Sequence, residues 1–448
     1  MLLDNGTIIT MNKDREIQFN SSVVIKGNKI IDIGDKERIK EKYSKHKRID
    51  CAGQVILPGF INIHTHSALC LVRGMAEDRG LAPAYTKSVP RSTELSEEEL
   101  YYLSMLGAME ALKFGSTLIV DNYISSQKNV EAFAKLGLRA VVSERVHDVE
   151  FSQLSQGKYE YSREKGQKLL NKNLELIEKW HNKNNGRIKC IFGPHAPDSC
   201  SEELLKEISR YADQYDLGMN IHLAQSQDER DYIMETKGMT PVEYLYNTEI
   251  LRDDLIAAHC IYVNQKDIEL LTETQTNIAH IPEGNAKGGM MAPVDKMRKE
   301  DLNLTLGTDN MQGDMIDTMR FAICIGRILN NSCRNPTSME ILEMATINGA
   351  KALGLEDQLG SIEKGKKADL IILDFQKPHL TPTISPVGNL IHTANGNDVE
   401  KVIIDGEIVV DDGQIVNVNQ KDIMEKADSI AKDKWRKVID NYGSDVQI

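Results

Sequence analysis

Two histidines, His64 and His66, stand one residue apart at the end of an apolar run, and this spacing suits metal chemistry. The run from Pro58 to His66 is predicted to be a buried strand, in which side chains alternate between the two faces. Both imidazoles then point the same way and can share one divalent cation. Taken alone, the pair fits a structural role equally well, so its meaning depends on the rest of the chain.

Short apolar segments alternate with longer helical patterns through the middle of the chain, which is typical of βα units around a parallel sheet. The eight predicted strands are Phe60–His66, Ser116–Asn122, Arg139–Val146, Lys189–His195, Gly218–Ala224, Leu255–Ile261, Gln275–Ile281 and Asn303–Asp309. Ser96 and Glu99 predict a capping box at the start of one helix, which ends before Gly115. The strands span about 250 residues, which favours an eight-stranded (β/α) barrel over an open doubly wound sheet.

The two ends of the chain show a different pattern, in which short apolar runs alternate with turn residues. Neither end has enough strands for a stable sheet, so residues 1–57 and 358–418 are expected to combine into one small β-sandwich domain. The barrel then occupies residues 58–357, and an amphipathic helix lies within residues 419–448. The predicted fold class is α/β, a TIM-type barrel with a small domain built from both termini.

Composition narrows the classes of function. The net charge of −13 argues against a nucleic-acid or anionic-membrane partner. No apolar run approaches the ~18 residues of a membrane span, and we expect no secretion signal. Seven cysteines, odd in number and without a CxxC pair, suit reduced thiols in a cytoplasmic protein.

Histidines and carboxylates recur at the ends of the predicted strands, and barrel enzymes build their active sites at that rim. The polar residues at these ends are His64, His66, Asp121, Glu144, Arg145, His195, His222, His259, His280 and Asp309. A single histidine in such a place is more often a hydrogen-bonded structural residue. The convergence of five or six favours a shared site.

These strand ends carry phrases that resemble the amidohydrolase superfamily. They are most similar to its branch of methylthioadenosine/S-adenosylhomocysteine deaminases, guanine deaminase and triazine hydrolases. The phrases are Leu57–His66, Gly193–Pro197, Ile221–Ala224, Ala258–Cys260, Leu306–Asp309 and, at the return into the small domain, Gly360–Leu370. The resemblance covers nearly the whole chain and is specific to the superfamily, though not to one substrate.

The resemblance implies one divalent metal ion held by four ligands: His64, His66, His222 and Asp309. Zinc suits a nitrogen-rich site with one carboxylate, and Fe²⁺ is the alternative. A lysine that could bridge a second metal is missing from the strand ends, which favours one ion over two. The resemblance also implies that Asp309 acts as general base and that His259 steadies the attacking hydroxide or the developing oxyanion.

The expected partner is a small heterocyclic substrate. His195 and His280 are expected to hydrogen-bond its ring or its carbonyl, and Arg145 and Asp198 are expected to contribute to its binding. Asp198 and Ser199 stand where nucleoside deaminases show tyrosine-threonine, and this is one of several departures that together argue against an adenosine-type substrate. A homodimer is an open alternative to a monomer, by analogy with relatives.

One position departs from the deaminase pattern. Those deaminases carry a glutamate three residues after the histidine of the fifth strand, where this chain has Gln225. A glutamine donates a hydrogen bond but cannot pass a proton. Glu283, after the seventh strand, is the candidate replacement acid, although such a residue is more often an exposed loop glutamate; Glu229 is a weaker candidate.

We therefore predict a metal-dependent hydrolase that cleaves a C–N bond at an sp² carbon of a small N-heterocycle, as deaminases do. The alternative is hydrolysis of a cyclic amide, or of a carbon–halogen or carbon–alkylamine bond as in triazine hydrolases. A leaving group that departs without a proton would explain Gln225. From another class, a binding protein that has lost turnover would also tolerate Gln225, but the presence of every expected ligand argues against it.

Overall fold

The chain passes from a small sheet into a barrel and back. The computed structural model describes residues 1–78, 86, 89–154, 156–310 and 312–442. The first five strands are β1 (Leu2–Ile9), β2 (Ile17–Lys26), β3 (Lys29–Asp35), β4 (Arg48–Asp50) and β5 (Gln54–Pro58). β2 and β3 form a hairpin, and Gly27 in its turn has a φ of +59°, a conformation that glycine adopts without strain.

The barrel strands follow in the predicted order. They are β6 (Phe60–Thr65), β7 (Ser116–Tyr123), β8 (Arg139–Val146), β9 (Ile188–Cys190), β10 (Gly193–Pro194), β11 (Met219–Leu223), β12 (Leu255–His259), β13 (Asn277–His280) and β14 (Leu304–Leu306). β6 to β10 form one parallel sheet, and β11 to β14 form another. Parallel bridges from Phe192 to Met219 and from Thr65 to Asp309 join the two sheets at both edges and so close the barrel.

Helices occupy most of the connections. Those before β11 are α1 (Lys36–Lys42), α2 (Glu97–Lys113), α3 (Ser126–Leu136), α4 (Phe151–Leu154), α5 (Arg163–Trp180), α6 (Lys183–Gly186) and α7 (Glu202–Tyr215). Those after it are α8 (Gln227–Lys237), α9 (Pro241–Asn247), α10 (Gln265–Glu273), α11 (Pro282–Lys287), α12 (Val294–Lys299), α13 (Met315–Leu329), α14 (Ser338–Met344), α15 (Ile347–Ala352), α16 (Pro386–His392) and α17 (Gln420–Tyr442). The predicted capping box of Ser96 and Glu99 starts α2.

The chain then returns to the small sheet. The last four strands are β15 (Leu370–Asp374), β16 (Val399–Ile404), β17 (Glu407–Asp411) and β18 (Gln414–Ile415). The sheet order is β18-β17-β16-β15-β5-β1-β2-β3, with β4 paired to β1. β15 pairs antiparallel with β5, so each end of the chain completes the sheet of the other. The predicted α/β fold class is confirmed.

The C-terminal helix packs against the connection that follows the first barrel strand. In α17, Trp435 Nε1 donates to the carbonyl oxygen of Leu71 at 2.8 Å. Residues 443–448, which fall in the predicted C-terminal segment, lie outside the described residues. Within the described part of the chain, no helix combines the length and the apolar character that crossing a bilayer requires.

Apolar side chains fill the barrel interior and the layer between the strands and the helices. Ile256 and Ala279 belong to an interior cluster that also takes in Leu355 and Leu359, from the connection after α15. A second, larger apolar layer lies between the strands and the helices. The polar residues at the carboxyl ends of the strands then gather at the other end of the barrel.

Candidate metal centre

Four histidines and one aspartate meet at this rim. His66 Nε2 lies 3.1 Å from His222 Nε2. Asp309 Oδ1 lies 3.4 Å from His66 Nε2 and 3.8 Å from His64 Nε2. On the other side, Asp309 Oδ2 lies 4.0 Å from His259 Nε2. Two overlapping trios, His64–His222–His259 and His64–His66–Asp309, each bring their donor atoms within 4.8 Å of one another. The structure thus brings together all four predicted ligands and His259.

Backbone carbonyls orient two of these imidazoles. His66 Nδ1 lies 2.5 Å from the carbonyl oxygen of Asn122, and His222 Nδ1 lies 2.8 Å from that of His195. A carbonyl oxygen only accepts, so each Nδ1 carries the proton and each Nε2 presents a lone pair to the cluster. Histidines that bind metal ions are commonly held in this way.

Burial favours the neutral form of the imidazoles of His64, His66 and His222. The pKa values of His64 and His222 lie well below the usual value, because burial disfavours the charged ring and the neighbouring histidines repel it. The pKa of His66 is lowered by burial as well, although the carboxylate of Asp309 opposes the shift. A neutral imidazole is the form that binds a metal ion.

The donor set fits a divalent cation. His64 Nε2 is enclosed and has no hydrogen-bond partner among the described residues. Leaving such an atom unpaired costs about 1–3 kcal/mol. A cation bound among the Nε2 atoms of His64, His66 and His222 and a carboxylate oxygen of Asp309 would satisfy it, and three nitrogens with one oxygen are ligands that zinc accepts.

The backbone holds two members of the cluster in a strained conformation. Asp309 donates its N–H to the carbonyl oxygen of His64 at 2.9 Å, and His66 donates its N–H to the carbonyl oxygen of Asp309 at 3.0 Å. The φ angles of Asp309 and His259 are +63° and +75°. This left-handed region costs a non-glycine residue about 1–3 kcal/mol and persists where surrounding contacts enforce it, as at functional sites.

His195 lies beside the cluster. Its ring centroid is 4.9 Å from that of His222, and its Nδ1 is 2.7 Å from Ser199 Oγ. Phe151, from α4, stands 4.8 Å from the His195 ring and stacks on His147 at 3.9 Å. Phe151 and His147 were not predicted, because nothing in the sequence pattern distinguishes them from ordinary packed residues.

Arg145 also reaches the rim. Its guanidinium carbon lies 5.3 Å from the ring centroid of Tyr123 and 5.0 Å from that of Phe151, within cation–π range. Its positive charge contributes, after burial and neighbouring histidines, to the low pKa values of His195 and His222. Arg145 is therefore close enough to act electrostatically on the cluster.

Asp198 and Glu229 are fully buried near the carboxyl ends of the barrel strands. The hydroxyl of Tyr159 donates to Asp198 Oδ2 at 3.3 Å. Glu229 accepts the backbone N–H groups of Ala224 at 2.7 Å and of Gln225 at 2.9 Å. Burial, and then the charge of Asp198, raise the pKa of Glu229 well above its usual value. Glu229 thus holds the turn that carries Gln225.

Glu283 is buried and forms an ion pair with the exposed Lys287. Its Oε1 lies 2.8 Å from Lys287 Nζ, one turn further along α11. Burial raises the pKa of Glu283, Lys287 opposes the shift, and Asp317 and Asp314 at the start of α13 add to it. Glu283 is therefore not an exposed loop glutamate. Its ion pair with Lys287 weakens its assignment as the replacement acid.

His280 is not brought into the cluster. It lines a small cavity outside the barrel with Val294, Leu304 and Met344. Side chains of a strand alternate, and the preceding residue, Ala279, belongs to the barrel interior, so His280 faces the outer helices. Burial lowers its pKa to about 3. The expectation that His280 contacts substrate is not supported by this position.

Comparison with known proteins decides the family. The model of the amidohydrolase family matches residues 55–409. The chain belongs to the amidohydrolase family. The 5′-deoxyadenosine deaminase of Methanosarcina acetivorans is 34% identical to it over 97% of this chain and 98% of the relative. The 5-methylthioadenosine/S-adenosylhomocysteine deaminase of Pelotomaculum thermopropionicum is 33% identical over 95% of this chain and 97% of the relative.

Solved structures of other proteins share this fold. An adenosine deaminase from Xanthomonas campestris with bound zinc has a TM-score of 0.88 at 22% identity, covering 97% of this chain and 98% of that one. Atrazine chlorohydrolase from Arthrobacter aurescens in complex with zinc has a TM-score of 0.84 at 20% identity, covering 96% and 99%. The predicted metal-dependent hydrolase of carbon–nitrogen bonds, on an amidohydrolase barrel, is confirmed.

Proposed function

We propose that this amidohydrolase is an aminohydrolase that replaces an amino group on a ring carbon of a small N-heterocycle with oxygen from water. The observation that carries the proposal is the cluster of His64, His66, His222 and Asp309 around the unpaired Nε2 of His64. We propose one zinc ion as its occupant. The deaminases of adenosine derivatives among the relatives support a purine-like ring as the substrate class.

The side chains divide the chemistry between them. A bound divalent ion lowers the pKa of water toward neutrality and so supplies a nucleophile. Asp309 would accept a proton from the attacking water on Oδ2, while Oδ1 faces the ligand histidines. A Cβ atom at Gly284 would lie 3.8 Å from Oδ2, so glycine keeps this oxygen approachable. His259, whose Nδ1 lies 3.1 Å from Asn285 Oδ1, offers Nε2 to orient the water.

The proton then leaves with the amine. The carbon–oxygen bond forms first, and Asp309 returns its proton to the departing nitrogen as the carbon–nitrogen bond breaks, which releases ammonia. Gln225 hydrogen-bonds a ring nitrogen without exchanging a proton. His195 and Arg145 hold the rest of the ring from the neighbouring strands, and Asp198 supports the substrate pocket from behind the rim.

A second reaction is favoured by Gln225 itself. Glu283 is paired with Lys287, and Glu229 is occupied by backbone N–H groups. A leaving group that needs no proton, such as a halide on a triazine ring, would make a glutamate at position 225 unnecessary. Hydrolysis of a cyclic amide or of a carbon–alkylamine bond belongs to the same alternative.

Release of ammonia tests the proposal. The metal-loaded enzyme is offered aminopurine nucleosides, aminopterins, aminopyrimidines, lactams and chlorotriazines, and ammonia and chloride are measured. We expect ammonia from an amino-substituted ring, and turnover of a lactam or a chlorotriazine alone would overturn the proposal. Asp309→Asn should lower kcat by about 10²–10⁴-fold. Glu202→Gln, which removes a partly exposed carboxylate paired with Lys206 on α7, should leave kcat unchanged.

The proposed cell compartment depends on the cysteines, and the proposed oligomeric state depends on analogy with relatives. All seven cysteines are free thiols, which supports a reducing compartment, and we propose the cytoplasm. The homodimer suggested by analogy stays a prediction, and size-exclusion chromatography with light scattering measures it directly.

A further inference from the structure

A second cluster of charged side chains surrounds a cavity at the opposite end of the barrel from the metal centre. The cavity has a volume of about 160 Å³ and lies at the first residues of β7, β8 and β9. Its polar lining consists of four cations and two amides: Arg139, Arg187, Lys189, Lys367, Asn182 and Gln358. The apolar part of its wall includes Leu355 and Leu359.

Three of the four cations share two buried carboxylates. Arg139 lies 2.8 Å from Asp369 and 3.0 Å from Asp405. Arg187 lies 3.1 Å from the same oxygen of Asp405, and Lys367 lies 3.3 Å from its other oxygen. Positive charge therefore exceeds the buried negative charge here, in a chain whose net charge is −13.

One further carboxylate reduces this excess only weakly. Glu407 lies 2.6 Å from Arg187, but its side chain is 68% exposed. Water screens an exposed carboxylate, and such a pair contributes little compared with the buried ones.

Lys189 is the cation without an anionic partner. No carboxylate of the described residues lies within 4.0 Å of its Nζ, which meets Asn182 Oδ1 at 3.4 Å, near the limit of a hydrogen bond. The side chain is half-buried, and its pKa is lowered because burial, and then the charges of Lys367 and Arg139, disfavour the ammonium ion. An anion bound in the cavity would offset the repulsion between these cations and stabilise the charged form of Lys189.

We propose that this cavity binds a small oxyanion, a phosphate or carboxylate group, between Lys189 and Lys367. The two arginines are held by their existing ion pairs and are more than nine-tenths buried, so they supply a fixed positive wall. The amides of Asn182 and Gln358 offer further donors in the lining of the cavity. The volume is smaller than the ~300–1,000 Å³ of pockets for drug-sized ligands, which selects a small ion.

Binding should strengthen the junction of barrel and small sheet. Lys189 belongs to a barrel strand, whereas Lys367 lies on the segment that leads into β15. An anion that contacts both would stabilise the folded chain, because a ligand that binds only the folded state raises the free energy of unfolding. Thermal unfolding therefore reports occupancy without reference to the reaction at the metal centre.

Thermal unfolding of the metal-loaded enzyme tests the proposal when Tm is compared in phosphate, acetate and chloride at matched ionic strength. Phosphate or acetate should raise Tm relative to chloride, and the more effective of the two identifies the class of anion. Calorimetric titration with that anion should show affinity at least ~10-fold weaker for Lys189→Met, since a hydrogen bond to a charged group is lost. Lys183→Met, which removes an exposed lysine of α6 outside the lining, should bind like the wild type.

Asp309→Asn separates this cavity from the metal centre. Its anion affinity should equal that of the wild type, and loss of binding in this variant would assign the anion to the metal centre. Equal Tm in all three salts, or wild-type affinity in Lys189→Met, would also overturn the proposal. If Lys189→Met does not fold, Lys189→Gln serves in its place, with the same expected loss.

Discussion

At the scale of single residues, two of the three ligand histidines depend on a neighbouring strand for their orientation. His66 directly follows β6 but is held by the carbonyl of Asn122 on β7, and His222 is on β11 but is held by the carbonyl of His195, which follows β10. Spacing along one strand predicts that two side chains share a face, but it does not show which carbonyl holds the far nitrogen. The closed barrel supplies that information.

Gln225→Glu tests whether the missing acid limits the reaction. A carboxyl group at this position could protonate a ring nitrogen, and general acid catalysis contributes about 10²–10⁴-fold. We expect ammonia release from an amino-substituted ring to rise at least ~10-fold in kcat, with a new acidic limb in the pH–rate profile. Gln225→Ala is the control and should lose binding of the ring without that limb. An unchanged profile in Gln225→Glu would contradict this role.

Residue types predicted the centre of the site better than its surroundings. His64, His66, His222 and Asp309 were recognisable because ligand chemistry limits which residues can serve. His280 carried the same signal at a strand end, but the alternation of the strand turns it toward the outer helices. Glu283 was placed correctly after the seventh strand, yet its pairing with Lys287 could not be read from the sequence.

At the scale of elements, α13 joins the rim to the small domain. Asp314 caps this helix by accepting the N–H groups of Ile316 and Asp317, and its other oxygen accepts the N–H of Gly396 at 3.0 Å. Burial, followed by the charge of Asp317, raises the pKa of Asp314 from 3.8 to about 6. The folded state therefore holds this proton more tightly than the unfolded state does.

Asp314→Asn should change how stability depends on pH. A carboxyl group with a raised pKa contributes most below pH 3.8, and this contribution is lost as the pH rises through about 6, by about 3 kcal/mol at most. Asparagine keeps the helix cap but does not titrate in this range. Denaturant unfolding between pH 4 and 7 should show the wild type losing stability relative to the variant, whereas parallel curves would contradict the assignment.

Element order was predictable, and element ends were less so. β8 begins and ends as predicted, because its apolar run is long and bounded by clear breaks. The predicted strand Lys189–His195 is divided into β9 and β10, which both pair with β8. Residues 191 and 192 lie between β9 and β10 and belong to neither pairing with β8. The sequence of one strand does not show where its pairing with a neighbouring strand is interrupted.

At the scale of the whole molecule, a buried ion-pair network holds the barrel on the small sheet. Arg139 begins a barrel strand, whereas its partners Asp369 and Asp405 adjoin β15 and β16. The sequence predicted that both ends of the chain share one sheet, because neither end has enough strands alone. It did not predict this network, since its charges are far apart in the chain. The boundaries after residues 57, 357 and 418 stay predictions.

Arg139→Met should therefore destabilise the whole chain. Removing one partner of a buried ion pair leaves charges without compensation, which costs about 3–5 kcal/mol. The control is Arg38→Met, because Arg38 pairs with Asp32 at 3.0 Å on the surface and should contribute no more than ~1 kcal/mol. Denaturant unfolding measures both, and equal losses would contradict a special role for the network.

Metal content per chain tests the central claim most directly. After loading with zinc and exhaustive dialysis, elemental analysis of the wild type should give about one ion per chain. His66→Ala should hold far less, whereas His280→Ala should still hold about one, because only the first removes a donor from the cluster. A wild type that retains no ion, or a His66→Ala variant that retains a full equivalent, would contradict the account.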